Sequence, residues 1–473
     1  MAKQTKIIAT LGPASSDTTT LTAMVETGVD LVRHNLSHGT LEEHCRRAAL
    51  LREVTHGKHM VGQIFDLQGP KLRIERFAQD AVILDEGQTF VLDPNHAPDA
   101  GNKECVGIAY RELPKFLKVT DRLLVDDGKI VLQVEDIVQE RIVCRVHTGG
   151  RLASKKGINL QGGGLAAPAL TSDDKQAIDQ VIRCAAPDYF AVSFVSCAED
   201  ITTARALIRE SGSDAGVIAK IERKSALANL GEIIAAADAV MVARGDLGVE
   251  IGDAALPAAQ KRILRQARML NTPVIVATEM MRTMIDSPLP TRAEVMDVAN
   301  AVLAGTDAVM LSEETAIGKH PARVIAKIVD ICREAEGQPE ARLEPGLNVS
   351  FSRVDETIAM AAMYAATHSA VDAVLAFTET GNSTRWMSRV TSCTGLPIFA
   401  LTPHAATLGR VTLYRSVLPV AFNSDSDDYV AIIGEAVERL KGMKLLRSGN
   451  KVIVTRGPLH HPGAANLMEI LTV

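Results

Sequence analysis

The chain has no excess of positive charge. With 51 Lys and Arg against 57 Asp and Glu its formal net charge is −6, which speaks against broad nucleic-acid or anionic-membrane surfaces but leaves room for local basic pockets that hold phosphates. Long apolar runs are missing too. No segment offers an uninterrupted apolar span of membrane length, and the opening MAKQTKIIATLG lacks the apolar core of a signal peptide. The seven cysteines (Cys45, Cys105, Cys144, Cys184, Cys197, Cys332 and Cys393) are scattered, odd in number and without a CxxC pair, so the expectation is reduced thiols in a cytoplasmic protein. Low-complexity tracts are absent, and no repeat stands out beyond an alternation of strand-like and helix-like segments. What remains is an ordinary globular composition, 473 residues with 47% hydrophobic and 23% charged, long enough for more than one domain.

The alternation sets the fold class. KIIAT from Lys6, DLVRHN, and MVGQIFD ending at Asp66 read as buried strands, and between the first two Leu21, Met24 and Val25 share one helical face that Gly28 closes. The pattern breaks for about a hundred residues and resumes near Pro168. There TSDDKQAIDQVIRCAA has a hydroxyl cap and acids in its first turn, and YFAVSF, GVIAKIE, AVMVA, PVIVAT and DAVMLS supply five more strands. Eight strands with helices between them predict an α/β fold, a (β/α)8 barrel interrupted after its third strand. Within the interruption, ILDEGQTFVLD and LLVDDGKIVLQVED alternate apolar and polar residues around DEG and DDG, the signature of hairpins in a small β-barrel lid. QPEARLEPGLN reads as a polar linker to a second α/β unit. The predicted domains are 1–69 with 168–337, 70–167 and 338–473.

Chemistry concentrates in AKIERKSALANLGEIIAAADAVMVARGDLGVEI. It places Lys220, Glu222 and Asp246 at the ends of two adjacent strands, where barrels gather functional side chains. Lys220 and Glu222 are two residues apart and so share the inward face of one strand. Two carboxylates suit Mg2+ (or Mn2+), and the lysine suits a moving phosphoryl group. The plainer reading is a structural salt-bridge network. ARGDLG opens a helix, leaving the N–H groups of Gly245 and Asp246 for a substrate carboxylate, unless they belong to an ordinary capped helix. Arg33 and Arg73 carry the planar fork that grips phosphate.

LVRHNLSHG, FDLQGPKLR, SKKGINL, AKIE, VARGDLGVEI, VATEMM, PTRAEVMDVANAVLAGTDAVMLSEETA and the C-terminal α/β unit together resemble pyruvate kinase over essentially the whole chain. The resemblance implies phosphoryl transfer from phosphoenolpyruvate to ADP, giving pyruvate and ATP in glycolysis. It makes Glu222 and Asp246 the Mg2+ ligands and Lys220 and Arg33 the groups on the phosphoryl oxygens. Thr278 falls near the enolate carbon, with a proton relay through water, Ser312 and Glu314. Asn35, Ser37, Asp66 and Leu67 fall at a monovalent-cation pocket, and Asn35, Ser37, His38, Arg73 and Lys156 at the nucleotide. A homotetramer is implied as well. An aldolase or lyase on a similar barrel has no use for the insert or for SKKG, and a catalytically dead sensor has no use for Lys220, Glu222 and Asp246 together.

The chain departs from the family at Lys71, where GPKLR replaces the GPE of potassium-dependent members. An ammonium near Asp66 supplies the charge of the missing cation, about 4 kcal/mol at 4 Å and an effective dielectric near 20, so the expectation is that K+ is not required; the plainer reading is a surface lysine at a hinge, which leaves the requirement unchanged. Glu279 and Glu313 add negative charge, Glu279 being placed to pair with Arg282 or to balance Lys71. In the C-terminal unit TETGNST (Thr378, Thr380, Gly381, Asn382, Ser383 and Thr384 among them) has the composition of a phosphate cradle, or of a plain turn. Asn382 stands where a basic residue is common, which favours a sugar monophosphate or AMP as allosteric effector, with Arg385, Arg389 and Arg456 as anion contacts.

Overall fold

The computed structural model describes residues 3–56, 60–70, 72–126, 128–162, 168–338, 351, 353–390, 395–458 and 465–473. Lys71 and nearly all of the linker QPEARLEPGLN lie outside them.

The barrel strands are β1 (Lys6–Leu11), β2 (Leu31–Asn35) and β3 (Gly62–Asp66), then β12 (Tyr189–Val192), β13 (Gly216–Ile221), β14 (Ala239–Ala243), β15 (Val274–Ala277) and β16 (Ala308–Leu311). They are all parallel and close in the order β1-β16-β15-β14-β13-β12-β3-β2. Each is buried on both faces, which is why the sequence shows continuous apolar runs here and no alternation. One face meets the ring of helices, with Ile7, Ala9, Val32, Val217 and Val240 in that outer core. The other fills the barrel, where Ile8, Leu31, Ile64, Ile218 and Met241 stack. The helices start where hydroxyl caps predict: Thr171 and Asp174 cap Ser172–Cys184 reciprocally, as Thr291 and Glu294 cap Arg292–Leu303.

Between β3 and β12 the insert has its own apolar core, including Ile74, Phe90, Leu123 and Ile142. Its strands are β4 (Ala81–Leu84), β5 (Thr89–Asp93), β6 (Cys105–Gly107), β7 (Arg122–Val125), β8 (Ile130–Val138), β9 (Arg141–Thr148), β10 (Gly150–Ala153) and β11 (Ile158–Leu160). The DDG hairpin is present, as β7 paired antiparallel with β8. The DEG hairpin is not. β4 pairs with β10 while β5 pairs with β9 and β6, so DEG joins strands of two different sheets. The physical reason is Gly149, between β9 and β10. A Cβ there would lie 2.4 Å from the Leu84 carbonyl oxygen, so only glycine lets the chain turn that corner. At the exit from β3, Gly69 has φ +64 and donates its N–H to Asp174 at 3.1 Å.

The C-terminal sheet has the order β19-β18-β17-β20-β21, with β17 (Ala373–Phe377), β18 (Ile398–Thr402), β19 (Val417–Ala421), β20 (Lys451–Arg456) and an antiparallel edge β21 (Leu467–Thr472). This unit seats against the N-terminal ends of the barrel strands. Lys6 donates to the Val417 carbonyl at 2.6 Å, Tyr189 to the Arg410 carbonyl at 2.7 Å, and Arg389 pairs with Asp307. The insert and the C-terminal unit therefore occupy opposite ends of the barrel.

A repeat does exist, contrary to the sequence reading. Asp30, Asp188, Asp238 and Asp307 each precede a barrel strand (β2, β12, β14 and β16). Each accepts a backbone N–H from the neighbouring strand, from Ile7, Gln63, Val217 and Val274, at 2.7 to 2.8 Å. Each returns its own N–H to the carbonyl of that same residue. The motif is one residue per unit, GVD, APD, AAD and GTD, too short to stand out. The thiol expectation is also corrected. Cys45 and Cys184 are disulfide-bonded across 139 residues, because their helices, Leu41–Thr55 and Ser172–Cys184, become neighbours in the ring. Scatter along a chain says nothing about distance in space.

Candidate active site

Barrel geometry brings the predicted groups to one mouth. Arg33 lies level with Thr10 of β1, Asn35 with Asp66 of β3, and Lys220 near the end of β13 above Ile218 on the inward face. Glu222, Asp246, Thr278 and Ser312 follow the ends of β13, β14, β15 and β16.

The centre is a continuous chain of buried charges. Arg33 donates from Nε to Asp66 Oδ2 at 2.7 Å and from Nη1 to Thr10 Oγ1 at 3.2 Å. Lys220 Nζ lies 3.2 Å from Asp66 Oδ1, 2.9 Å from Glu222 Oε1 and 2.7 Å from Ser193 Oγ. Glu222 Oε2 accepts the N–H of Phe194 at 2.7 Å, and Ser193 Oγ donates to the Leu67 carbonyl at 2.8 Å. Arg33 and Lys220 retain 9% exposure each, Asp66 and Glu222 1%. In such a dry place ionisation depends on partners. Burial alone would push Lys220 down, but Asp66 and Glu222 overcome it and hold the ammonium well above its ordinary range. Burial would likewise raise Asp66, and Lys220 with Arg33 keeps it below the usual carboxylate range. For Glu222 burial prevails over Lys220, and the nearby Asp246 charge pushes the carboxyl further up.

That last repulsion bears on the metal. Two cations face three carboxylates here, and Glu222 and Asp246 present only oxygen donors that disfavour one another's charge. A hard divalent cation relieves that conflict, so the residues fit Mg2+. The monovalent-cation pocket is less open than the sequence implies. Both oxygens of Asp66 face Arg33 or Lys220, Asn35 Oδ1 accepts the N–H of Ser37 at 3.3 Å, and the side chain of Leu67 is apolar and buried.

Thr278 and Glu279 occupy the left-handed region, with φ of +69 and +56. Such strain persists only where neighbours impose it. Arg244 imposes it, pairing with both oxygens of Asp297 at 2.8 and 2.7 Å while its Nε and Nη2 donate to the Thr278 carbonyl. The Gly245 N–H is not open; it donates to Thr278 Oγ1 at 3.1 Å. Asp246 sits in the first turn of the helix Arg244–Ile251. Thr278 Oγ1 donates to the Ala277 carbonyl at 2.6 Å, and no hydrogen bond among the described residues joins it to Ser312. Ser312 Oγ is buried without a hydrogen-bond partner among the described residues, whereas Glu314 serves as a backbone cap for Ser312 and Met281 at 2.6 and 3.2 Å. Glu279 pairs with Arg282 at 2.9 Å, and Glu313 is exposed.

Beside the charged centre a cavity of about 500 Å³ opens between barrel and insert. Ser37, His38, Gln68, Arg73, Lys155 and Lys156 are among its lining residues, so the barrel loop and the insert contribute together. Arg73 donates to the Lys155 carbonyl at 2.9 Å, and Lys156 pairs with Asp126 at 2.8 Å. Ser193, Arg244 and Asp297 went unread in the sequence. Ser193 closes YFAVS just past a strand end, which was a usable signal; nothing in the sequence ties Asp297 to Arg244.

In the C-terminal unit, Thr378 Oγ1 accepts the Gly381 N–H at 3.0 Å and Thr384 donates to the Gly381 carbonyl at 2.8 Å. Thr380 and Asn382 are exposed, Ser383 is buried, and a helix begins at Asn382. Arg389 is corrected: buried against Asp307, it is not available to a surface anion. Arg456 lies 3.3 Å over the Tyr429 ring, and Arg385 keeps a buried Nε without a hydrogen-bond partner among the described residues.

A (β/α)8 barrel with a buried Lys–carboxylate–Arg centre at the C-terminal mouth defines an enzyme that handles anionic substrates. The sequence matches the family described as pyruvate kinase, barrel domain, over residues 2–325, and pyruvate kinase, alpha/beta domain, over residues 356–471. Similar proteins include pyruvate kinase II of Salmonella typhimurium, 47% identical with 100% of this chain and 99% of that protein covered. A pyruvate kinase of Buchnera aphidicola from Acyrthosiphon pisum is 46% identical over 100% of this chain and 99% of its own length, and that of Thermotoga maritima 34% identical over the full length of both. The chain belongs to the pyruvate kinase family.

Proposed function

We propose that this enzyme moves the phosphoryl group of phosphoenolpyruvate to ADP, with Mg2+ (or Mn2+) held by Glu222 and Asp246 and without a need for K+. The observation that carries the reading is the Arg33–Asp66–Lys220–Glu222 chain beside a cavity lined by Ser37, His38, Arg73 and Lys156. When bound, the divalent cation supplies charge neutralisation for the phosphoryl oxygens. Arg33 and Lys220 exchange part of their carboxylate contacts for phosphoryl oxygens. At Gly245 the N–H exchanges the Thr278 hydroxyl for the substrate carboxylate, which frees that hydroxyl to pass a proton, through water and Ser312 Oγ, to the enolate carbon. The balance is phosphoenolpyruvate, ADP and one proton giving pyruvate and ATP. His38, Arg73 and Lys156 hold the nucleotide as the insert closes over it.

Lys71 supplies the positive charge that K+ provides elsewhere, and the occupancy of Asp66 by Arg33 and Lys220 supports a pocket with little call for a further cation. The boundaries 1–69 with 168–337, 70–167 and 338–473 follow the separate core of the insert and the separate C-terminal sheet. A cytoplasmic homotetramer, regulated by a sugar monophosphate or AMP at Thr378–Thr384, completes the proposal. No described helix is long and apolar enough to cross a membrane. The test is pyruvate formation from phosphoenolpyruvate, ADP and Mg2+ in potassium-free buffer, then with K+ added. Full activity without K+ is expected; activity only with K+ would discard the role of Lys71, and none in either buffer would discard the reaction.

A further inference from the structure

Within the insert, three metal-binding side chains come together. Asp93 ends β5, Cys105 begins the adjacent parallel strand β6, and His96 stands in the turn between them. Their ligand atoms all lie within 4.8 Å of one another. Bound to tetrahedral zinc, N, O and S donors sit roughly 3.3–3.7 Å apart, so side-chain rotation of about 1 Å closes the set. We propose that Asp93, His96 and Cys105 bind one zinc-class divalent ion, water being its fourth ligand, and that this ion ties the β5–β6 excursion of the insert.

Three features support the assignment. His96 Nε2 lies 3.0 Å from the Ala100 carbonyl, which only accepts, so Nε2 carries the proton and Nδ1 keeps its lone pair; metal-bound histidines are oriented in the same way. Asp93 is likewise fixed from outside, by the Asn95 N–H on Oδ1 at 2.9 Å and by Arg141 Nε on Oδ2 at 3.1 Å. Each oxygen retains a further lone pair, and the arginine offsets the extra charge of a thiolate. Finally, a thiolate, an imidazole and one carboxylate form a soft, nitrogen-bearing set that selects zinc over magnesium. The barrel mouth, with oxygen donors only, selects the reverse. Cys105 keeps 9% exposure, and Asp93 and His96 are half-buried, so an ion can enter. On binding, the S–H bond breaks, a metal–sulfur bond forms and the proton leaves to solvent, with no change of oxidation state.

The test uses the full-length protein stripped by chelator and titrated with Co2+ in excess Mg2+. One equivalent is expected to give a thiolate-to-metal charge-transfer absorption, which zinc bleaches by displacement and which Co2+ at Glu222 and Asp246 cannot produce. C105S should abolish the band while leaving Mg2+-dependent turnover unchanged. H96Q should weaken Co2+ binding at least tenfold, and it keeps the test valid should C105S fold poorly. Absence of the band in the wild type, its survival in C105S, or unchanged affinity in H96Q would overturn the proposal.

Discussion

Both ends of the barrel carry buried or half-buried acids, and they are used differently. At the N-terminal end Asp30, Asp188, Asp238 and Asp307 each accept a backbone N–H from the next strand. Each is anchored to main chain that cannot leave, even where Lys3, Arg205 and Arg389 also pair with Asp30, Asp238 and Asp307. At the C-terminal end Asp66 and Glu222 are held chiefly by the side chains of Arg33 and Lys220, at the mouth where Ser37 and Gln68, just past β2 and β3, line a cavity. Side-chain partners can be shared with an incoming anion. Acids anchored to the backbone of the neighbouring strand at the closed end are architecture, whereas acids held by Arg33 and Lys220 at the open mouth are chemistry.

The comparison can be broken from the bottom first. Asp307→Ala removes the cap on Val274 and strands Arg389 in a buried place. A loss of about 3–5 kcal/mol in unfolding free energy is expected, with kcat of the surviving folded enzyme within a few-fold of wild type. Denaturant titration read beside the assay checks both, and a stable but inactive variant would contradict the division. Cys45→Ser opens the cross-link between Leu41–Thr55 and Ser172–Cys184. It should cost about 2–4 kcal/mol, and equal melting of the variant and of the wild type under oxidising conditions would argue against the bond.

Asp188 offers the smallest and most specific effect. Burial lifts its carboxyl from 3.8 to about 7, so the folded state holds the proton more tightly than the unfolded one. Its contribution is therefore full below about pH 4 and is lost as pH rises through about 7. Asp188→Asn keeps an acceptor for Gln63 and should flatten the decline in melting temperature between about pH 4 and 7. Parallel slopes for the two proteins would show that Asp188 does not titrate there.

Much of this was legible in sequence because apolar strand runs and periodic helices announce themselves. All eight barrel strands follow from short continuous apolar runs, their helices from a period of 3.6 residues, and the face shared by Lys220 and Glu222 from a period of two. What escaped depended on tertiary neighbours. VLPVA was not read as a strand; β19 lies at an edge of its sheet, where the N–H missing at Pro419 costs little. The DEG turn looked like a hairpin until Gly149 redirected β10 onto β4. Ser193 and Asp297 act through side chains brought from other strands and helices, and the four aspartates repeat as a single residue in helix-sized units. Lys71 was read from a motif alone and rests on the potassium experiment.

The most direct test replaces Lys220 by methionine, which keeps the length of the side chain and removes its charge. Phosphoryl transfer should fall on the order of a hundredfold or more, while near-ultraviolet circular dichroism and a cooperative melt show the barrel intact. Turnover within a few-fold of wild type in that folded variant would contradict the claim that buried charge at this mouth is there for chemistry.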